Sequence, residues 1–229
     1  MSVHIRCGAA ISAILVFPGT IPCASVAQNV PEAGFISLFD GKDLDGWVYG
    51  TRDGKQNKAG RGYQVEGGVI FCTAEDGGNL YTEKEYSDFI FRFEFRLEAN
   101  SNNGIGIRAP LEGNAAYAGM EIQVLDDSGS EYVNLRPAQY HGSIYDVVPA
   151  KRGSQRPVGE WNSEEIIARG RRVTVVLNGA TIVDANLGDI ADPEVLNRHP
   201  GLTRTTGHIG FLGHGTRVEF RNIRIKPLD

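Results

Sequence analysis

Short runs of alternating apolar and polar residues, separated by turn residues, recur along most of the chain. In residues 89–97, FIFRFEFRL, every second side chain is Phe or Leu, so one face of an extended strand would be apolar. Asn178 and Gly179 form the preferred two-residue turn between two further runs. About a dozen such runs predict an all-β sandwich or barrel. The candidate strands are 36–39, 63–72, 89–97, 104–109, 119–125, 143–148, 164–169, 172–178, 180–186, 207–213 and 217–225, and residues 187–201 are expected to hold one short helical turn.

Residues 1–27 are predicted to be a secretory signal peptide rather than part of the fold. Arg6 precedes a short apolar run at 9–17, and the small residues at 25–27 form a candidate cleavage site. The run is too short to span a membrane, and no later segment is long enough. We therefore expect an exported protein, periplasmic or extracellular, without a transmembrane segment. The alternatives are a disordered leader of a cytosolic protein and a lipid anchor at Cys23.

Charge and cysteine content argue against a nucleic-acid-binding protein and against a fold held by internal disulfides. The formal net charge is −5 at pH 7 and no basic patch stands out, which argues against nucleic acid as a partner. Of the three cysteines, only Cys72 lies outside the predicted leader, so the mature chain cannot form an internal disulfide. About 200 residues would remain after cleavage, which suits one domain with its own core. The sequence gives no indication of an oligomeric state.

Three candidate strands combine an apolar face with a face of glycine and reactive groups. In 119–125, Glu121 and Gln123 alternate with the apolar residues, and in 104–108 glycines alternate with isoleucines. In 208–214, HIGFLGH, one face carries Ile and Phe and the other carries Gly210, a leucine and two histidines. Glycine inside a strand often marks the close approach of a ligand. A merely solvated face would instead carry Lys, Thr and Ser, and one β-bulge would reverse the assignment. The predicted binding face has Gly104, Gly106 and Gly210 as its floor and Arg108, Glu121, Gln123 and His214 at its edge.

Two other regions have alternative interpretations. The second face of 89–97 carries Arg92, Glu94 and Arg96, which predicts a solvated face or a cross-strand charge ladder. The segment 139–150 brings His141, Tyr145 and Asp146 together, and aromatic rings with carboxylates are typical of sugar binding; the alternative is a packed connection. Trp161 is either a further sugar platform or a core residue.

Five segments in a fixed order make the chain resemble the 3-keto-disaccharide hydrolase domain family over about residues 35–228. They are 38-LFDGKDLDGW-47, 87-SDFIFRFEFRL-97 with 103-NGIGIR-108, 120-MEIQVLD-126, 142-GSIYDVVPA-150 with 159-GEWN-162, and 171-RRVTVVLNGATIVD-184 with 207-GHIGFLGHGTRVEFRNIRIKPL-228. The family's Asn-Ser-Gly-Ile motif is matched here by 102-NNGI-105, a departure at Asn103. The resemblance implies a concanavalin A-like jelly-roll sandwich of two antiparallel sheets.

The resemblance also implies cleavage of glycosides that are already oxidised at C3 of the sugar. A ketone at C3 acidifies the proton on C2, so that one base can remove it while another group stabilises the enolate. The substituent at C1 then leaves by elimination, and water adds back to give net hydrolysis. The expected partner is therefore an oligosaccharide or other glycoside. Because the chain has no dinucleotide fingerprint, the oxidation itself would require another protein.

Residue roles follow from matching this chemistry to the resemblance. Glu121 or His214 is expected to be the base, and Arg108 is expected to polarise the ketone or enolate. A divalent metal held by Glu121 and His214 is the alternative electrophile, although two ligands are too few to identify a metal site. No other cofactor is expected. The predicted substrate-binding residues are Gln123, Tyr145, His141, Asp146 and Asn103.

Two other functions remain open on the same fold. One is a non-catalytic carbohydrate-binding module. The other is an ordinary glycoside hydrolase that uses Glu121 and Asp126, because laminarinase-like enzymes carry Glu-x-Asp-x-x-Glu where this chain has 121-EIQVLD-126. The middle carboxylate of that motif is Gln123 here, which weakens the hydrolase interpretation, since such enzymes need a pair of carboxyl groups.

Overall fold

The computed structural model describes residue 1 and residues 32–52, 55–56, 62–72 and 78–228. Apart from residue 1, the predicted signal peptide at 1–27 lies outside the described residues. In the described part, no helix combines the length and the hydrophobicity that a membrane span would require. The strands are β1 (Ile36–Ser37), β2 (Trp47–Tyr49), β3 (Thr51–Arg52), β4 (Lys55–Gln56), β5 (Tyr63–Glu66), β6 (Val69–Cys72), β7 (Gly78–Thr82), β8 (Phe89–Leu97), β9 (Asn102–Ala109), β10 (Met120–Leu125), β11 (Trp161–Arg169), β12 (Arg172–Leu177), β13 (Ala180–Asn186), β14 (His208–Gly213) and β15 (Val218–Pro227).

These strands form two antiparallel sheets and one small ribbon. The larger sheet has the order β13-β12-β11-β8-β15-β6-β5, with β1 paired to β15. The smaller sheet has the order β10-β9-β14-β7-β2, and β3 pairs with β4 in a separate two-stranded ribbon. Residues from both sheets belong to one continuous hydrophobic cluster. The predicted two-sheet sandwich is confirmed.

The core is built from the alternating faces predicted for the strands. Phe91, Phe93 and Phe95 on β8 are at most 1% exposed, and Phe93 packs edge-on against Phe211 of the smaller sheet, with ring centroids 6.5 Å apart. Burial of each such ring stabilises the fold by roughly 1.5–3 kcal/mol. The predicted hairpin turn at Asn178 is also present, with a positive φ of 50°. The alternating pattern therefore fixes which face of each sheet is internal.

The outer face of the larger sheet carries the predicted charge ladder. Arg221 on β15 donates a 2.7 Å hydrogen bond to Glu94 on β8, and Arg96 donates one of 2.6 Å to Glu219. Arg96 and Arg221 also lie over the ring of Trp161, 4.8 and 3.9 Å from its centroid. Both expectations for Trp161 were wrong, since two guanidinium groups stack on it and it lies outside the core cluster.

Short helices and turns connect the strands. The helix α2 (Pro193–Arg198) confirms the helical turn expected within 187–201, and its N-terminus is capped by Asp192, which accepts a 2.9 Å bond from Glu194 N–H. A shorter helix, α1 (Ala115–Ala118), precedes β10, and 3₁₀ turns lie at Ser130–Tyr132, Pro137–Gln139, Leu187–Asp189 and Pro200–Thr203. The strand predicted at 143–148 was wrong: this segment makes only isolated bridges, and Asp146 has a positive φ of 59° that interrupts an extended chain.

Candidate active site

Strand β10 supplies the floor of the candidate site. Met120, Ile122 and Val124 are buried in the shared core, so Glu121 and Gln123 point to the opposite, outer face of the smaller sheet. Both polar side chains are nevertheless only 5% and 4% exposed, because other parts of the chain cover this face. The two hydrophilic groups are therefore not a wet strand face but the base of a pocket.

The glycines of β9 and β14 make room for protein side chains. A Cβ atom on Gly104 would lie 2.0 Å from Oε1 of Glu121, and one on Gly210 would lie 2.3 Å from the ring of Tyr81. The prediction that the space beside these glycines is left for a ligand was therefore wrong, because side chains of the protein fill it at Gly104 and Gly210. Gly104 lets the Glu121 side chain lie across β9, and this places the carboxylate in the pocket.

Glu121 and His214 face each other across the site, as the sequence predicted for its two base candidates. His214 follows the end of β14, and its Nε2 atom lies 3.9 Å from Oε1 of Glu121. The Glu121 side chain is 6% exposed and that of His214 is 33% exposed. Oε1 of Glu121 has no hydrogen-bond partner within the described residues. This carboxylate is therefore buried, and its Oε1 atom accepts no hydrogen bond within the described residues, so it is placed to accept a proton.

The pocket around this pair has a volume of about 120 Å³. One wall is α1 with its N-cap Asn114, whose side chain accepts a 3.1 Å bond from Ala116 N–H. In the described chain, Oδ1 of Asn102 and Oε1 of Gln123 are buried without partners. Buried polar atoms are normally paired, so these oxygens are suited to receive hydroxyl donors from a ligand. The lining residues are Asn79, Asn102, Asn114, Ala115, Ala116, Tyr117, Glu121, Gln123, Tyr145, Leu212, Gly213 and His214.

Tyr145, one of the predicted substrate-binding residues, also lines this pocket. Its backbone N–H donates to the carbonyl of Glu121 at 2.9 Å, and its hydroxyl accepts a 3.2 Å bond from Nε2 of Gln139. Because the oxygen accepts, the phenolic proton is free to be donated to a ligand. Burial raises the pKa of Tyr145, and the nearby Asp146 carboxylate raises it further, so the hydroxyl stays protonated.

Arg108 does not lie in the pocket, contrary to the predicted face. Its guanidinium donates to the carbonyl groups of Ser87 at 2.9 Å and Gly170 at 2.7 Å, and it pairs with Asp88 at 2.9 Å. The cause is a β-bulge: between the pairs His208↔Ala109 and Gly210↔Gly106, strand β9 has one more residue than β14. Arg108 takes a positive φ of 48° at this bulge, and the side chain turns away from the glycine face. It therefore cannot polarise a ketone bound beside Glu121.

Three further predicted substrate contacts also lie outside the pocket. Asn103 is on the core face of β9, where its Nδ2 donates to the hydroxyl of Tyr63 at 3.1 Å. Asp146 pairs with Arg136 at 2.6 Å. The ring of His141 is buried against Phe95, with centroids 5.0 Å apart. His141 and Asp146 were assigned from local sequence and Asn103 from the resemblance, whereas strand parity and tertiary packing determine where each side chain points.

Asp126 is also unavailable as the second carboxylate of an ordinary glycoside hydrolase. Its Oδ2 accepts from Asn100 N–H at 2.9 Å, and its Oδ1 accepts from both Ser128 N–H at 3.0 Å and the Ser128 hydroxyl at 2.6 Å. Both oxygens thus stabilise the loop after β10, and Asp126 is not among the residues that line the pocket.

Sequence reasoning missed four polar or aromatic lining residues. Asn102 could have been found, because it lies two residues before Gly104 on the same strand face. Asn114 could have been found only as a helix cap. Asn79 lies on β7, which has no alternating signal, and Tyr117 lies on a helix of four residues.

A metal ion would find only part of its ligand set here. Each metal–ligand bond is about 2.0–2.2 Å long, so the 3.9 Å between Glu121 and His214 fits two ligands on one ion. No group of three or more His, Cys, Asp or Glu side chains with ligand spacing occurs in the described ranges. Among the other side chains of the pocket, the partnerless amide oxygens of Asn102 and Gln123 are the groups that could add ligands.

A second, larger concavity of about 530 Å³ lies between the β1 region and the segment after β7. Its carboxylates stabilise local turns: Asp40 accepts from Lys42 N–H at 2.8 Å, and Asp43 accepts from Asp45 N–H at 3.0 Å. This concavity lacks a partnerless buried carboxylate among the described residues, so it is not the better candidate.

Comparison with known proteins supports the fold and identifies relatives. A 3-keto-disaccharide hydrolase of Bacteroides thetaiotaomicron is 29% identical, over 90% of this chain and 82% of that protein. The crystal structure of a candidate glycosyl hydrolase of Parabacteroides distasonis has a TM-score of 0.68 at 27% identity, over 86% of this chain and 95% of that one. A carbohydrate-binding module of Bacillus subtilis has a TM-score of 0.50 at 14% identity, over 79% and 95% of the two chains, and shares the fold alone.

The family assignment rests on the sequence as a whole. The model of one domain family matches residues 34–226, which include the entire sandwich from β1 to β15 except the last residue of β15. This match and the Bacteroides relative support an enzyme that cleaves glycosidic bonds. The chain belongs to the family of 3-keto-alpha-glucoside-1,2-lyase-like domains.

Proposed function

We propose that the pocket binds a glycoside carrying a ketone at C3 and cleaves it by elimination and hydration. The observation that carries the proposal is the single buried carboxylate, Glu121, facing His214 at 3.9 Å. Ordinary glycosidases use two carboxyl groups, about 5–10 Å apart. The described residues that line this pocket include one carboxylate only. Elimination next to a ketone needs one base, which matches this composition.

In the proposed reaction, Glu121 accepts the proton on C2. The electron pair of the C–H bond forms the C2–C3 double bond of an enolate, and the charge moves to the C3 oxygen. The free phenolic proton of Tyr145 is available to stabilise that oxygen. The enolate then collapses, the C1–O bond breaks, and His214 supplies the proton that the departing oxygen requires.

Water completes net hydrolysis. It adds at C1 of the unsaturated ketone and gives one proton to His214, which restores the proton lost to the leaving group. C2 regains a proton from Glu121, so the carboxylate is regenerated. Asn102 and Gln123 would accept hydrogen bonds from the remaining sugar hydroxyls. Their buried Oδ1 and Oε1 atoms accept no hydrogen bond within the described chain. The oxidation at C3 is not part of this reaction and requires a separate oxidoreductase.

The test is product release from a 3-keto glucoside and from its unoxidised parent, each with and without a chelator. Cleavage of the keto sugar alone is the expected result. Equal cleavage of the parent would contradict the elimination mechanism and favour an ordinary hydrolase. Binding without turnover of either sugar would favour a carbohydrate-binding module. Loss of activity with chelator, restored by a divalent ion, would assign the stabilisation of the enolate to a metal beside Glu121 and His214.

A further inference from the structure

The wall of the pocket that carries Tyr145 is a segment without regular strand structure, residues 137–148, which we term the Tyr145 wall. It is attached to β10 by backbone hydrogen bonds: Gly142 N–H donates to Gln123 at 2.8 Å, and Gln123 N–H donates to Ser143 at 3.0 Å. Gln139 accepts a 3.4 Å bond from the Gln123 side chain through its carbonyl. The position of the Tyr145 hydroxyl thus depends on how this segment sits against the sheet.

His141 fastens the Tyr145 wall to the interior of the sandwich. Its Nδ1 accepts a 3.3 Å bond from Leu125 N–H, and its ring lies against Phe95. Its Nε2 lies 3.2 Å from Oε2 of Glu164, and the two side chains are 1% and 0% exposed. Glu164 is on β11 of the larger sheet, so this contact joins the wall of the pocket to the opposite layer of the fold.

Burying these two polar side chains costs desolvation free energy, which packing alone does not explain. Nδ1 accepts a bond, so the ring proton is on Nε2 and faces Glu164. The contact is close but poorly aligned, and neither Glu164 oxygen has a well-formed hydrogen bond within the described residues. Well-packed apolar residues of similar volume often serve a core as well as a buried ion pair or better. A polar pair at this place instead favours one position of the wall, because a shift would separate two buried polar groups that lie 3.2 Å apart and expose neither to water.

We propose that the buried His141–Glu164 pair positions the Tyr145 wall, and with it the Tyr145 hydroxyl, over the carboxylate of Glu121. His141 and Glu164 are positioning residues, since neither lines the pocket. The activity arm of the test rests on the proposed function. The second arm, amide hydrogen exchange of the peptide 140–148, does not depend on any activity.

The decisive variants keep volume and change polarity. H141F keeps a ring against Phe95 but removes both nitrogens, and we expect kcat to fall about 10- to 100-fold, the scale of a 1 Å misplacement. Exchange of 140–148 should become faster in the same variant. E164Q keeps an oxygen beside Nε2 and should retain kcat to within about threefold, because the acceptor survives. Ile166→Val, in the core of β11, is the control that lowers stability without changing either readout.

The double variant H141F/E164L separates positioning from packing. Its all-apolar pair should recover the melting temperature of the wild type, while kcat stays low and exchange of 140–148 stays fast. Full recovery of kcat with stability would overturn the proposal, as would an H141F variant with unchanged kcat and exchange. If the wild type fails to cleave any 3-keto glucoside, the proposed function fails, and the exchange data alone still decide whether the pair positions the wall.

Discussion

The two outer faces of the sandwich treat their polar groups in opposite ways. On the larger sheet, each carboxylate of the ladder has a guanidinium partner, as in Glu94 with Arg221 and Glu219 with Arg96. On the smaller sheet, Glu121 and Gln123 each keep a buried oxygen that nothing in the described chain satisfies. Paired charges on a half-exposed face contribute little energy and need no ligand. Unpaired buried acceptors mark the face that is built to receive one.

Glu121→Gln should have the largest effect, because it removes the base while keeping the volume that Gly104 accommodates. General-base catalysis contributes about 10²- to 10⁴-fold, so kcat should fall by that factor. The measurement is the rate of product release from a 3-keto glucoside at saturation. Glu94→Gln, a carboxylate of the paired face, is the matched control and should leave the rate unchanged. Equal losses in both variants would erase the functional contrast between the two faces.

Gly104→Ala should have the next largest effect. The added Cβ would meet Glu121 Oε1 at 2.0 Å, so the carboxylate must move, and a displacement near 1 Å costs about 10²-fold in rate. Overpacking should also lower the free energy of unfolding by about 1–3 kcal/mol. Kinetics and urea unfolding measure the two losses.

Gly106→Ala on the same strand is the control for this change. Its added Cβ would meet the flexible end of Leu212 at 3.2 Å, which can shift by a few tenths of an ångström. We therefore expect a much smaller loss of activity. Identical behaviour of the two variants would show that the strand tolerates no side chain at all, rather than that Glu121 requires the space.

Breaking the ladder should have a small effect on stability. Arg221 and Glu94 have side chains that are 39% and 27% exposed, and such pairs contribute about 0–1 kcal/mol. A double-mutant cycle with Arg221→Ala and Glu94→Ala, followed by chemical denaturation, gives the coupling energy. A coupling well above this range, or a loss of activity, would mean that the paired face has a role beyond a solvated surface.

The smallest expected effect is on the pH dependence of stability, and it concerns Glu219 on the outer face of the larger sheet. Burial alone would raise the pKa of Glu219, but hydrogen bonds from Arg217 and Arg96 hold it below its usual value. A lowered pKa in the folded state means that this stabilisation is present above the unfolded pKa of about 4.3 and is lost as pH falls through the folded value. Thermal unfolding between pH 6 and pH 3 should therefore show a shallower decline in Glu219→Gln than in the wild type; parallel curves would refute this assignment.

The fold could be read from the sequence because its main signal is local. On β8 and β10, the alternation of side chains alone separates the core residues from Glu94, Glu121 and Gln123, and the sheets confirm each of these faces. The same rule failed at Arg108, where a β-bulge with positive φ reverses which face the side chain points to. No residue type at this position indicates the bulge.

The site was less predictable because two of its walls depend on distant contacts. His141 was predicted to bind substrate from its neighbours in sequence, yet its ring is buried with Nε2 3.2 Å from Glu164 on the larger sheet. Asn103 was taken from the resemblance, although its parity with Ile105 places it in the core, and the adjacent Asn102 reaches the pocket instead. Local pattern thus identifies the floor of the site, whereas its walls require the tertiary structure.

The position of β10 at the end of the smaller sheet has a consequence for self-association. An edge strand offers free backbone donors and acceptors to any other extended chain, and proteins usually block such edges. Here the backbone groups of Glu121 and Gln123 that face away from β9 are hydrogen-bonded to the backbone of residues 142–145. The segment that shapes the pocket therefore also shields the sheet against intermolecular strand addition, so a chain with this segment loosened would be prone to aggregate before it lost its fold.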